Sequence, residues 1–408
     1  MTRILAFFLA FISFGFLFSP GNSAGRMLPI PEEEKMPISL PMPDRALPDI
    51  KVLIHTGKTV TVGFPSFINV YDGKSGAFLT TTSISPLTIS VDQNAFIIND
   101  ETYRNPTITI AGGTGPYTLG DCAYAGKLNL RRGDGMAYVV NDVDLETYVK
   151  GVLPAEMFSK WPAEALKAQA VAARTYAVFS ACYHAQDFYH VVSTTASQVY
   201  KGAGVRVPST DAAVDATKGE ILHYGNEIFP AYFHSTCGGH TSSVNEVWDQ
   251  NPFPTLTGVY CPFCADSPHY RWQNAVSCAE VSTRLMKNGY SDETIKNIEI
   301  ARDDGAGRVT WLRLIGMSET TVFRANDIRI FVLPDILKST FFTITSDGTT
   351  FHIHGFGWGH GVGLCQWGAR KMAEDGYDYR AILGFYYQSS RLVKYLPPVT
   401  AEDAASYE

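Results

Sequence analysis

The chain has 408 residues, 45% of them hydrophobic and 18% charged, with a formal net charge of -7 at pH 7. That is long enough for two domains or one large one, and apolar enough for a sizeable core. The acidic balance and the lack of a basic cluster exclude an electrostatic footprint for nucleic acid, and any binding to an anionic polymer has to be local and shape-driven.

Met1-Thr-Arg3 precedes an almost wholly apolar run over 4–18, which leads to the small residues Asn22-Ser-Ala24-Gly25. A charged start, an apolar stretch of about 15 residues and a small-residue cleavage region make a secretory signal over 1–24. The run is short against the ~20 residues that a bilayer span needs. An exported protein of the periplasm or cell envelope is expected, peripheral to the membrane. Residues 25–50 are proline-rich, carry the acidic run Glu32-Glu-Glu34 and read as an extended linker.

Over 51–141 short β-branched runs recur at roughly 8–12-residue spacing, punctuated by Gly, Asp and Asn, which predicts a β-rich N-terminal domain. Examples are Val52-Leu-Ile54, Val60-Thr-Val62, Leu87-Thr-Ile-Ser-Val91 and Thr107-Ile-Thr-Ile110. Asp144 is placed to cap a short helix reaching Gly151. Pro162 opens an Ala-rich helix to about Tyr183, and Ser209 caps a shorter one ending at Lys218-Gly219. A hairpin over 220–233 turns at Gly225-Asn226. Helices are expected at 277–287 and 292–298, strands at 309–315 and 341–353, and helices at 364–374 and 379–385. Strands first and mixed elements later give an α+β fold, with a mixed α/β core over 142–396 and a tail over 397–408.

The chemistry centres on G-V-L-P-A-E-M at 151–157. Glu156 is set among Val152, Leu153, Pro154, Ala155, Met157 and Phe158, with no cation within three residues. A carboxylate desolvated by such neighbours keeps its proton to higher pH and suits a general acid.

Three distant segments place polar side chains between rigid glycine turns. They are 193–202 with Gln198 and Tyr200, 233–240 with His234 and Ser235, and 355–368 with His360 and Gln366. Glycines let backbone approach a ligand closely, and aromatic faces beside amide and imidazole groups are a lining for a sugar-binding cleft. Lys167 and Arg174, seven apart, share one helix face that could meet the Glu156 turn. His352 and His354 alternate on a strand and belong to a sheet surface.

Seven cysteines cannot all pair within one exported chain. Cys237-x-x-His240 and Cys261-Pro-Phe-Cys264 are two ligand pairs of knuckle spacing, a Cys3His set for one structural zinc. The competing reading is a disulfide from Cys237 to Cys261 or Cys264 in an oxidising compartment. A closed four-ligand set leaves no position for a zinc-bound water, which counts against a zinc hydrolase.

The motifs G-V-L-P-A-E-M, K-A-Q-A-V-A-A-R-T-Y, F-H-S-T-C-G-G-H and G-W-G-H-G-V-G-L-C-Q-W-G-A resemble the SpoIID/LytB family, stage II sporulation protein D and amidase enhancers, over about 142–392. The resemblance implies that the core is a SpoIID-like catalytic domain with a glycan-binding cleft. It implies a lytic transglycosylase cutting peptidoglycan strands stripped of stem peptides, in division, wall remodelling or sporulation-like processes. Glu156 matches the family's catalytic glutamate, and Lys167, Arg174, His234 and Ser235 fall at positions expected to line the cleft. A metal near the His-Ser-Thr loop in some relatives makes His234 an alternative ligand. A separate N-acetylmuramoyl-L-alanine amidase is the implied partner, and a non-catalytic glycan-binding amidase enhancer is the alternative function. A transglycosylase uses the sugar's own 6-hydroxyl as nucleophile, so one carboxylate suffices where a hydrolase needs two. Asp142, Asp144, Glu146 or Glu164 across the cleft would return hydrolysis.

Overall fold

The computed structural model describes residues 37–43, 49–92, 94–248 and 250–394. The expected signal over 1–24, most of the linker and the tail over 397–408 lie outside the described residues. The described residues belong to one compact unit. Strand exceeds helix in a mixed α/β architecture, consistent with the α+β expectation.

The β-rich stretch builds two large sheets and the small hairpin of Tyr117–Leu119 with Cys122–Tyr124. Seven strands run in the order Val191–Val192, Ile50–Gly57, Met136–Val143, Lys127–Gly133, Thr107–Ala111, Ile68–Asp72 and Phe78–Thr82. Four more, Thr59–Val62, Leu87–Asp92, Ala95–Ile98 and Glu101–Tyr103, form a second sheet. Alternate residues point inward along each strand, so Val60, Leu87, Ile89 and Phe96 share one apolar core with Ile68, Val70, Ile108, Leu128 and Val139. Val191–Val192 pairs in parallel with Ile50–Gly57, and the expected boundary at Asp142 falls inside the strand Met136–Val143. That strand runs directly into helix α1, Leu145–Glu156.

Helix α2, Ala163–Tyr183, occupies the centre of the largest core. It is apolar on nearly every face, as a helix surrounded by other elements has to be. Around it pack α1, α3 (Pro208–Ala216), the strand Glu220–Tyr224 and the helices Gln366–Glu374 and Tyr379–Tyr386. Small alanines on α2 let these neighbours approach. Asp144 caps α1 by accepting from the Thr147 amide at 3.0 Å, and α1 continues past the expected end at Gly151 to Glu156. Pro208, rather than Ser209, opens α3.

Residues 271–356 carry a separate core. One three-stranded sheet holds Arg271–Ser277, Thr350–Phe356 and Phe342–Ser346, and another holds Asn297–Asp303, Val309–Ile315 and Thr320–Arg324. The strand expected at 341–353 is thus a hairpin turning at Asp347-Gly348, with His352 and His354 exposed on it. The helix expected at 292–298 is not formed. Glu293 is held in a turn by the Met317 and Ser318 amides, and Asn297–Asp303 pairs with Val309–Ile315. The β-branched Ile298 and Ile300 fit that pairing better than a helix. Among the described residues, no helix is long and apolar enough to cross a membrane.

Candidate functional site

Glu156 is the last residue of α1, two positions after Pro154, which removes one amide from the helix ladder, and the Met157 amide closes onto the Leu153 carbonyl at 3.0 Å. Its carboxylate accepts the Val199 amide at 2.7 Å. Burial raises the Glu156 pKa above the ordinary carboxylate value, against the downward pull of the Val199 amide and the Gln366 side chain. No charged group contributes to that shift.

The three glycine-flanked segments converge here. Gly151 has no room for a side chain, because a Cβ would lie 2.5 Å from the Tyr200 ring and 2.9 Å from the Gly202 carbonyl. That close approach seats the 198–202 loop on α1 and aims the Val199 amide at Glu156. Phe233–His234 pairs in parallel with Leu364–Cys365, and the Trp367 amide donates to the Ser235 carbonyl at 3.1 Å. Gln366 thereby reaches Glu156 from the start of its helix, and its amide lies 3.4 Å from Gln169 Oε1 on α2. Gln169 is fully buried, and its Nε2 has no hydrogen-bond partner among the described residues.

An aromatic cluster follows Glu156 and Gln366 closely in the chain, with Phe158 two residues after the one and Trp367 next to the other. Phe158 packs on Trp161 at 5.6 Å between centroids, and Trp161 meets Trp367 edge-on at 5.2 Å. Arg370 lies over both indoles, 4.9 Å from the Trp367 centroid and 5.7 Å from that of Trp161. Phe158 is 68% exposed, so this end of the cluster faces solvent.

Several residues expected in the cleft are instead tied into the core. Arg174 is fully buried, grips Glu146 with two hydrogen bonds of 2.8 and 3.0 Å, and donates to the Glu220 and Val214 carbonyls. Gln198 is fully buried between the Tyr148 hydroxyl at 2.9 Å and the Ala173 carbonyl at 3.3 Å. Tyr200 is buried and donates to Asn141 Oδ1 at 2.7 Å. Lys167 pairs with Glu164 at 2.6 Å beside the Tyr379 ring. His234 is buried, with Nδ1 3.1 Å from the Val362 carbonyl and Nε2 unpartnered. His360 accepts the Val362 amide on Nδ1, so its Nε2 hydrogen is donated to the Phe233 carbonyl at 2.9 Å. Ser235 is half-buried beside Thr236, its carbonyl holding Trp367.

The carboxylates that could have served as a second catalytic group are engaged elsewhere. Asp142 accepts from Asn129 and pairs with Lys127, Asp144 caps α1, Glu146 holds Arg174, and Glu164 takes Lys167 and the Tyr379 amide. Asp144 and Glu156 flank the two ends of α1, a 12-residue helix that spans about 18 Å.

The thiols of Cys237, Cys261, Cys264 and Cys365 are all buried and all within 4.8 Å of one another. Cys365 replaces His240 in the expected set. The His240 ring is turned to the Thr241 carbonyl at 2.6 Å, while the Leu364–Cys365 strand delivers the fourth sulfur. Cys237 and Cys264 stand 3.4 Å apart, and all seven cysteines are free thiols. A tetrahedral zinc with bonds near 2.3 Å sets its sulfurs about 3.8 Å apart, so the cluster has the size and donor chemistry for that ion. The Cys237 and Gly368 amides point at the Cys365 sulfur at 3.2 and 3.4 Å, and the Tyr386 hydroxyl lies 3.2 Å from that of Cys261. Such donors stabilise thiolates.

Residues 133–224 match the SpoIID family model, described as stage II sporulation protein, and residues 263–363 match a domain of unknown function, DUF8618. An uncharacterized protein of Brachyspira hyodysenteriae is 39% identical over 280 residues, which cover 68% of this chain and 74% of that protein. Stage II sporulation protein D of Bacillus amyloliquefaciens is 32% identical over 61% of this chain and 74% of its own length. The amidase enhancer of Bacillus subtilis is 28% identical over 60% of this chain, a match that spans 40% of the enhancer. On these matches the chain belongs to the SpoIID family.

Proposed function

We propose that this protein is an exported peptidoglycan lytic transglycosylase that cleaves the bond between N-acetylmuramic acid and N-acetylglucosamine in strands free of stem peptides. The observation that carries this reading is Glu156, a carboxyl raised by burial and held by the Val199 amide, two residues before the exposed Phe158. In the first step neutral Glu156 donates its proton to the glycosidic oxygen as the bond from C1 breaks, with positive charge developing at C1. The resulting carboxylate then takes the proton of the sugar's own 6-hydroxyl, and O6 bonds to C1 to close the 1,6-anhydro ring. Glu156 ends protonated, no water is consumed, and no second carboxylate is required.

Phe158, Trp161 and Trp367 offer faces for the C–H surface of a sugar ring, and Ser235 and Gln366 border the same cleft. Arg174, Gln198 and Tyr200 act through the scaffold that aims these groups. The four thiols hold one structural zinc that supplies rigidity and takes no part in the chemistry. Export rests on the signal-like residues 1–24, and a peptide-stripping amidase is the natural partner in the envelope. The resemblance to the amidase enhancer favours a second reading, a module that grips glycan and presents it to such an amidase. Mass spectrometry of denuded strands incubated with the chain lacking residues 1–24 separates the readings. Anhydro-muramic ends support the transglycosylase, reducing ends a hydrolase, and intact bound strands the module.

A further inference from the structure

Arg308 is a fully buried cation whose partners are poorly matched to its charge. It sits at the turn between Asn297–Asp303 and Val309–Ile315, in the segment that carries its own core, yet its side chain reaches the loop beside the four thiols. Nη2 donates to the Cys237 carbonyl and, at 3.4 Å, to the His240 carbonyl. Among the described residues, Nε and Nη1 have no hydrogen-bond partner. Phe341 covers one face of the guanidinium with its ring centroid 5.4 Å away. Gly361, at φ +87°, lies against the group, and a Cβ there would stand 2.5 Å from Cζ. Asp304 offers no direct ion pair, because its oxygens take the Ala306 and Arg308 amides and the Ser242 hydroxyl.

A buried cation without a hydrogen-bonded counterion is costly. Burial pulls the Arg308 pKa down, and the neighbouring Cys237, Asp304, Cys365 and Cys264 groups act against that pull. As neutral thiols the cysteines offer little compensation, whereas four thiolates around a divalent ion carry a net charge of about -2. We propose that Arg308 is the countercharge of a metal–tetrathiolate centre at Cys237, Cys261, Cys264 and Cys365, so that metal loading locks the 303–309 turn onto the loop beside the four thiols. This rests on the metal reading given above and assigns Arg308 a positioning role outside the ligand shell.

The test is zinc titration of the reduced, metal-free chain against a chelator, for wild type, Arg308→Met and Arg308→Lys. Hydrogen exchange over 303–310 is followed in the wild type with and without zinc. Groups just outside a metal's ligand shell are worth about 10–100-fold in affinity, so Arg308→Met is expected to weaken zinc binding by that factor. Arg308→Lys, which keeps the charge, recovers part of the loss, and zinc slows exchange at the turn in the wild type. Equal zinc affinity for wild type and Arg308→Met, or exchange at 303–310 indifferent to zinc, overturns the role. If Arg308→Met does not fold, the wild-type exchange decides. A wild type that binds no zinc removes the metal reading itself, a result distinct from equal binding by both forms.

Discussion

The Val199 amide donates to the Glu156 carboxylate across 2.7 Å, joining the end of α1 to a loop more than forty residues on. This bond holds the carboxylate in place without neutralising it. Because it also favours the charged form, burial has to outweigh it for the Glu156 pKa to stay raised. The folded state therefore keeps this proton to higher pH than the unfolded chain does. Stability falls as pH rises from the ordinary carboxylate range toward the raised value. Glu156→Gln removes that loss, keeps an oxygen for Val199, and is expected to melt higher than wild type at neutral pH. Thermal melts of both forms from pH 4 to 8 check this.

Gln366 lowers the Glu156 pKa, so removing its side chain lets the pKa climb further. Gln366→Ala is expected to move the alkaline limb of the pH–rate profile upward, since the acid keeps its proton longer. It also leaves the buried Gln169 Oε1 without this contact, at a stability cost of about 1–3 kcal/mol. A profile measured beside wild type separates positioning of the acid from simple loss of fold, which lowers rates without moving the limb.

Phe158→Ala, at an exposed position, is expected to change stability by no more than about 0.5 kcal/mol. If the aromatic cluster carries sugar, the variant raises KM about tenfold, equivalent to about 1.4 kcal/mol, with kcat little changed. Trp367→Ala has a larger effect because it also strips Trp161 and Arg370 of a partner. Steady-state kinetics on denuded strands, with circular dichroism as the fold control, provide the check.

Arg174→Met is expected to destabilise by about 3–5 kcal/mol, because it strands the half-buried Glu146 carboxylate and frees two backbone carbonyls. Denaturant unfolding measures the cost. Activity per folded molecule should be unchanged under conditions where the variant remains native.

Burial pushes the His190 pKa down to about 4 and that of His234 to about 3. Both depressed values mean that the unfolded chain takes up protons first as pH falls below about 6.5. The neutral imidazoles contribute fully above that pH, and their contribution is lost as pH drops toward 3. Melting temperature should decline through this window, and His190→Gln should flatten the decline.

What was legible in the sequence was short-range. The Asp144 cap, the Ala-rich α2 and the apolar setting of Glu156 depend on neighbours within a few positions. The spacing of Lys167 and Arg174 put them on one face but could not separate a cleft from a buried ion pair, since Glu146 and Glu220 come from other elements. Cys365 cannot be grouped with the other three thiols from spacing, because the parallel pairing of Phe233–His234 with Leu364–Cys365 delivers it from far along the chain. Knuckle spacing pointed to His240, whose ring turns to its neighbour's carbonyl instead. The aromatic cluster likewise joins Phe158 and Trp161 to Trp367 from far along the chain.

The most direct measurement is the rate at which anhydro-muramic ends appear on denuded strands with wild type and with Glu156→Gln, under conditions where both bind strands equally. General acid–base catalysis is worth about 10²–10⁴-fold, so the variant should be slower by that factor while remaining folded and bound. A Glu156→Gln protein that forms these ends at the wild-type rate would contradict the role of Glu156 as the acid.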